Sequence, residues 1–176
     1  MRDPKAVEKL QKAMERNVKA IELRPSIGRG TAVTKVRIRD GCTADIEDGG
    51  WKLIADESVK DGGNGEGPDP GVYGRAALGA CVAMGYAQWA AKFGVTLETI
   101  EVDVEADYDA SAMFGLDDAT PPGWGGLRYV VRVESSAPEA EVQRVLDYAD
   151  AHSPLLDDFA RALPVRREVR ISAPAR

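Results

Sequence analysis

Cysteine and histidine are scarce in this 176-residue chain, which holds only Cys42, Cys81 and one imidazole, His152. Two cysteines without a CxxC spacing cannot build a disulfide framework. One histidine rules out a polyhistidine zinc site. The carboxylates lack the alternating spacing of a calcium loop, and Gly28-Arg29-Gly30 is not a dinucleotide fingerprint. No metal and no cofactor is therefore expected. Positive charge is also short: 23 Lys and Arg face 29 Asp and Glu, a net charge of -6. Nucleic-acid affinity comes chiefly from clustered Lys and Arg, so nucleic acid is not the expected partner. Long apolar runs are missing too. The longest, Ala76 to Ala87, is closed by Arg75 and followed by Gln88 and Lys92, well short of the roughly 20 residues a membrane span needs. The first residues contain no apolar stretch of the signal-peptide kind, so the cytoplasm is the expected compartment.

What remains is ordinary globular material, 44% apolar and 30% charged, enough for one domain over residues 1–176. Val7, Leu10, Met14, Val18 and Ile21 recur at helical spacing and predict a helix from Pro4 to about Glu22, with Asp3 as its N-cap. This arm (residues 1–24) is followed by three strands in a meander: Thr31–Arg39, Cys42–Ile46 and Trp51–Ala55. The turns Asp40-Gly41 and Asp48-Gly49-Gly50 between them favour positive φ. Residues 61–71 read as a flexible, Gly-rich connector. A long helix from Val72 to about Phe93 ends at Gly94. Strands at Leu97–Tyr108 and Leu127–Glu134 flank a loop over 109–126. Ser136-Ala-Pro-Glu139 matches a capping box for a helix to Ala151, Ser153-Pro154 breaks it, a short helix covers Leu155–Ala162, and Val165–Ile171 is predicted as a strand. Hairpin connections make this α+β rather than doubly wound.

The centre of the long helix, Ala76-Ala-Leu-Gly-Ala-Cys81-Val-Ala-Met-Gly-Tyr-Ala87, is crowded with small residues. Glycine inside a helix costs roughly 1 kcal/mol relative to alanine, so Gly79 and Gly85 imply close packing, in the middle of the molecule or at a dimer axis. Together with Gly67-Pro-Asp-Pro70 ahead of it and the Arg39-Asp40-Gly41 turn, this run resembles the signature of the OsmC/Ohr family. The resemblance implies an OsmC-like α+β fold in an intertwined homodimer, with active sites at the subunit interface. It also implies a helix cysteine that reduces organic hydroperoxides, activated by an arginine of the N-terminal hairpin.

On this sequence the nucleophile falls on Cys81 and the activating arginine on Arg39, with Arg37 and Arg29 as weaker candidates. A thiolate is the reactive form, and a nearby cation lowers the pKa of a thiol from about 8.5. The helix dipole reaches Cys81 poorly because it lies deep in its helix. The family's orienting glutamate would fall on Gly71, and its resolving cysteine on Ser153. Cys–Cys cycling is thus not expected, and an external thiol reductant is. Asp69, Tyr73, Arg75, His152 and Ser153 are candidates for polar groups lining the substrate pocket, and Trp51, Trp89 and Trp124 for its apolar lining. Plainer readings stand beside these: Cys81 as a small buried hydrophobe, Arg39 as a solvated turn residue, and His152 as a helix-end residue meeting the last carbonyls. Two functions remain open here. One is a one-cysteine peroxidase acting on an organic hydroperoxide. The other is a non-catalytic OsmC-fold dimer that binds a small apolar ligand or senses redox state.

Overall fold

Local chemistry fixes both ends of the central helix. The Asp69 carboxylate accepts from the amides of Gly71 (2.7 Å) and Val72 (3.2 Å), Pro70 occupies the first turn, and Gly94 closes the helix at φ 71°. These are the N-cap, the first-turn proline and the left-handed C-cap that helix ends favour. The computed structural model describes residues 3–173. Its elements run α1 (Pro4–Leu23), β1 (Lys35–Ile38), β2 (Ala44–Asp48), β3 (Trp51–Ala55), α2 (Pro70–Phe93), β4 (Thr99–Tyr108), α3 (Ala110–Met113), β5 (Trp124–Glu134), α4 (Glu139–Asp150) and α5 (Pro154–Ala160).

The core lies along one side of α2. Leu78, Val82, Tyr86 and Ala90 recur every fourth residue and are almost fully buried, one above another on a single helix face. Ile100, Val102 and Val104 of β4 and Tyr129, Val131 and Val133 of β5 pack against them, as do Val145 and Ala149 of α4. The two strands form an antiparallel hairpin from Thr99↔Glu134 to Tyr108↔Trp124. Gly79 explains how closely they approach: a Cβ there would stand 3.1 Å from Val104 Cγ2.

The first three strands form a separate antiparallel sheet, β1-β2-β3. Its two turns contain Gly41 and Gly49, both at φ 54°. Register places Val36 beside Ile46 beside Leu53, and Ile38 beside Ala44 beside Ala55. One face is thus apolar, and much of it is open: Val36 is 62% exposed, Ile38 60% and Trp51 75%.

Four expectations are corrected. β1 spans only Lys35–Ile38, not Thr31–Arg39, and β5 begins at Trp124 because Trp124 still finds a partner in Tyr108. The capping box does not form: the Ser136 hydroxyl and amide both donate to Glu98 (2.7 and 3.1 Å), and α4 starts behind Pro138 without a side-chain cap. Residues 165–171 are not a strand; Val165 and Ile171 are each 93% exposed, with no strand edge beside them to complete a ladder.

Candidate functional site

Cys81 stands about three turns into α2, roughly 16 Å from Pro70 at 1.5 Å per residue. At 100° per residue it falls on the border between two surfaces. On one side are Ala77, Ala80 and Met84, all exposed. On the other side α5 packs against the helix, and there the Cys81 sulfur lies 3.5 Å from Ser153 Oγ. The thiol is partly exposed, whereas Ser153 is only 5% exposed. Ser153 opens α5 without capping it by its side chain, which leaves the hydroxyl free to face the sulfur.

A half-buried polar cluster places that hydroxyl. The two oxygens of Asp150 accept from Tyr86 of α2 (2.8 Å) and Tyr129 of β5 (2.9 Å), and the Asp150 carbonyl accepts from the Ser153 amide at 3.2 Å. Burial first, and then the Asp150 carboxylate, hold both phenols in their neutral form: Tyr86 is pushed strongly up and Tyr129 up to about 12. An aromatic wall continues the same side of α2. Gly74, two turns before Cys81, admits the Trp124 ring so closely that a Cβ would come within 2.9 Å of it, and Trp124 stacks on Phe159 of α5 at 6.0 Å.

A second group of candidate residues sits on the small sheet. Arg39, just past β1, donates from Nη2 to Glu66 at 2.7 Å, and its Nε lies 3.6 Å from Asp45. The bond to Glu66, with the charges of Asp45 and Glu66, holds this guanidinium all the more firmly in its charged form. Glu66 was not legible in the sequence: it is 27 residues from Arg39, inside a Gly-rich run. Its carboxylate pairs with Arg39 at 2.7 Å, whereas the position to which the resemblance assigns an orienting glutamate is Gly71. Among the described residues the thiol–hydroxyl pair and the Arg39–Glu66 pair are not joined by any hydrogen bond within one chain.

The other sequence candidates have their own partners. Arg37 lies opposite Asp45 in the β1–β2 ladder. Asp69 caps α2, and Tyr73 donates to the Ile54 carbonyl at 2.6 Å, tying α2 to β3. Arg75 lies over Gly71, where a Cβ would stand 3.3 Å from its Nη1. His152 bonds the Tyr148 carbonyl through Nδ1 (2.7 Å), and its ring stacks on Tyr148 near Trp89. Cys42 is exposed in the β1–β2 turn. Trp51 is on the open sheet, Trp89 in the Tyr148–His152 ring cluster, and Trp124 alone beside Gly74.

A family model described as OsmC-like protein matches residues 63–168, which include α2 and Cys81, the β4–β5 hairpin, α4 and Ser153. The chain belongs to the OsmC-like family. Solved OsmC-fold structures are similar to it at low identity. An OsmC-like protein from Mycoplasma pneumoniae superposes with a TM-score of 0.63 at 12% identity, covering 74% of this chain and 88% of that one. An organic hydroperoxide resistance protein from Legionella pneumophila gives 0.52 at 19% identity, with 74% and 89% covered. An OsmC-like protein of unknown function from Vibrio cholerae gives 0.56 at 13% identity, with 74% and 94% covered. No curated protein matches the chain. At these identities the likeness establishes the OsmC fold. No helix among the described residues of this OsmC-like chain is long and apolar enough to cross a membrane.

Proposed function

We propose that this OsmC-like protein is a cytoplasmic, homodimeric thiol peroxidase that reduces organic hydroperoxides, with Cys81 as nucleophile and Arg39 as the cation that stabilises its thiolate. The observation that carries the reading is a partly exposed Cys81 sulfur, 3.5 Å from the Ser153 hydroxyl, on the helix side where Trp124 and Phe159 form an apolar wall. The thiolate attacks one peroxide oxygen of ROOH. The S–O bond forms as the O–O bond breaks, and the departing alkoxide takes a proton to become ROH. Sulfur is oxidised by two electrons to Cys–SOH and the peroxide is reduced by two. The sulfenic acid then condenses with an external thiol, releasing water, and a second thiol cleaves the mixed disulfide to restore Cys81. Ser153 holds the place beside the sulfur but cannot take the resolving step.

The dimer reading rests on unsatisfied surfaces. The apolar face of the β1-β2-β3 sheet and the small-residue face of α2 are both open, and monomers rarely leave contiguous apolar patches of that kind. Covering the α2 face of one copy with the sheet of another would bury both surfaces. In this reading the Arg39–Glu66 pair of the second copy meets Cys81 of the first at the rim of that interface, since Arg39 shares a face with Asp45 and not with Val36 and Ile38. A guanidinium would thereby be supplied across the interface; among the described residues of one chain the hydrogen-bond partner of the Cys81 sulfur is the Ser153 hydroxyl.

The test is turnover of cumene hydroperoxide with dithiothreitol as reductant, alongside sedimentation for mass. The reading expects a dimer whose turnover vanishes in Cys81→Ser and drops strongly in Arg39→Ala. Wild-type protein without turnover, but with saturable binding of an apolar probe at the Trp124 wall, would instead establish the ligand-binding alternative.

A further inference from the structure

Asp56 is a buried carboxylate, 2% exposed, outside every role described above. Burying a carboxylate is costly unless it is well hydrogen-bonded, and this one has four donors. Its Oδ1 accepts from the Glu57 amide at 2.8 Å; its Oδ2 accepts from the amides of Asn64 and Glu66 and from the Thr43 hydroxyl, each at 3.1 Å. The segment between Glu57 and Glu66 is therefore wound around one side chain. Gly63 is needed for that closure, since a Cβ there would stand 2.1 Å from the Glu57 carbonyl oxygen.

The same carboxylate reaches both members of the Arg39–Glu66 pair. It grips Glu66 through the backbone amide, and the Glu66 side chain then meets Arg39 at 2.7 Å. It grips Thr43 through the hydroxyl, and the Thr43 carbonyl accepts from the Arg39 amide at 2.9 Å. Asn64 closes the circuit by donating its side-chain amide to Thr43 Oγ at 2.8 Å.

We propose that Asp56 is a positioning residue, holding Arg39 and Glu66 in mutual register and thereby setting how the guanidinium meets the Cys81 thiol. This rests on the peroxidase reading for its consequence at sulfur, though not for the geometry of the pair. Hydrogen bonding to the charged form outweighs the burial that would otherwise raise this carboxyl, keeping it below the usual carboxylate range and so ionised at neutral pH.

The experiment follows the rate of Cys81 alkylation by iodoacetamide against pH, in a Cys42→Ser background, for Asp56→Asn, Glu66→Gln and the double variant. The amide of Asn offers one acceptor oxygen where Asp offers two. Asp56→Asn and Glu66→Gln are each expected to slow alkylation at neutral pH by about tenfold, the equivalent of one pH unit in the titration, and the double variant to slow it no further. Amide hydrogen exchange over residues 57–66 is read in parallel and is expected to accelerate in Asp56→Asn. A lowered melting temperature with a wild-type pH profile would make Asp56 structural only and overturn the inference. A wild-type profile already at the ordinary thiol position would sink the peroxidase reading; exchange over 57–66 would then still decide Asp56, unchanged exchange overturning it. If Asp56→Asn fails to fold, Thr43→Val removes one of the four donors and is expected to give a smaller shift in the same direction; a folded Thr43→Val with wild-type profile and exchange also overturns the proposal.

Discussion

Cys81 and Ser153 face each other across the contact of α2 with α5, sulfur to hydroxyl oxygen, at 3.5 Å. In the proposed peroxidase cycle, a thiol at this place would resolve the Cys81 sulfenic acid. On that proposal, Ser153→Cys is expected to close a disulfide of its own in place of reduction by an external thiol. After one equivalent of cumene hydroperoxide, thiol titration in a Cys42→Ser background should show both sulfurs consumed, and mass spectrometry an 81–153 link. Retention of a free thiol at 153 beside an oxidised Cys81 would mean that the two side chains do not meet in solution.

That contact depends on the cluster behind it. Tyr86 and Tyr129 both donate to Asp150, and a hydrogen bond to a charged group contributes about 1.5–3 kcal/mol. Tyr129→Phe should lower stability by about 1–2 kcal/mol in urea unfolding and loosen the Ser153 turn. The sign of the pH dependence follows from the raised phenols. A tyrosine whose folded value exceeds the ordinary one of about 10 stabilises the fold fully below that pH. Its contribution is lost as pH rises from there through about 12, the value of Tyr129, because the unfolded chain releases its proton first. Tyr129→Phe should flatten this alkaline limb; an unchanged limb would remove Tyr129 from it.

The parts of the fold that were legible in the sequence are those governed by neighbours in the chain. Asp69, Pro70 and Gly94 bound α2 through contacts a few residues long, and the Gly41 and Gly49 turns set the meander in the same local way. Capping at Ser136 failed because a distant competitor, Glu98, 38 residues earlier, takes both of its donors. The turn singles out Arg39 as a candidate, but not its ion-pair partner Glu66, since only the folding of the Gly-rich run around Asp56 brings the two together. Residues 165–171 alternate like a strand yet find no edge within one chain. Periodicity reports which residues suit a sheet, and pairing requires a neighbour that periodicity cannot name.

Acid behaviour tests the Asp56 cluster independently of the thiol. A carboxyl held below its ordinary value stabilises the fold above about pH 4 and loses that contribution as pH falls through its folded value. Melting temperature measured from neutral pH downward should thus fall more steeply in the wild type than in Asp56→Asn, although the variant starts lower. Parallel curves would show that protonation of Asp56 is not part of acid unfolding.

Gly74 offers a way to move the aromatic wall without unfolding the protein. An alanine there would place its Cβ 2.9 Å from Trp124 Cη2, so the ring must shift and its stack on Phe159 must loosen. Losing an aromatic pair costs about 0.5–1.5 kcal/mol, while replacing glycine by alanine within a helix returns roughly 1 kcal/mol. The two nearly cancel, and the melting temperature should change little. If the wall receives the organic part of the peroxide, KM for the bulky, aromatic cumene hydroperoxide should rise several-fold in Gly74→Ala while that for tert-butyl hydroperoxide moves less, with a shift in tryptophan fluorescence reporting the displaced ring. Equal changes for both peroxides, with the fluorescence shift present, would show that Trp124 packs the helix and does not select the substrate.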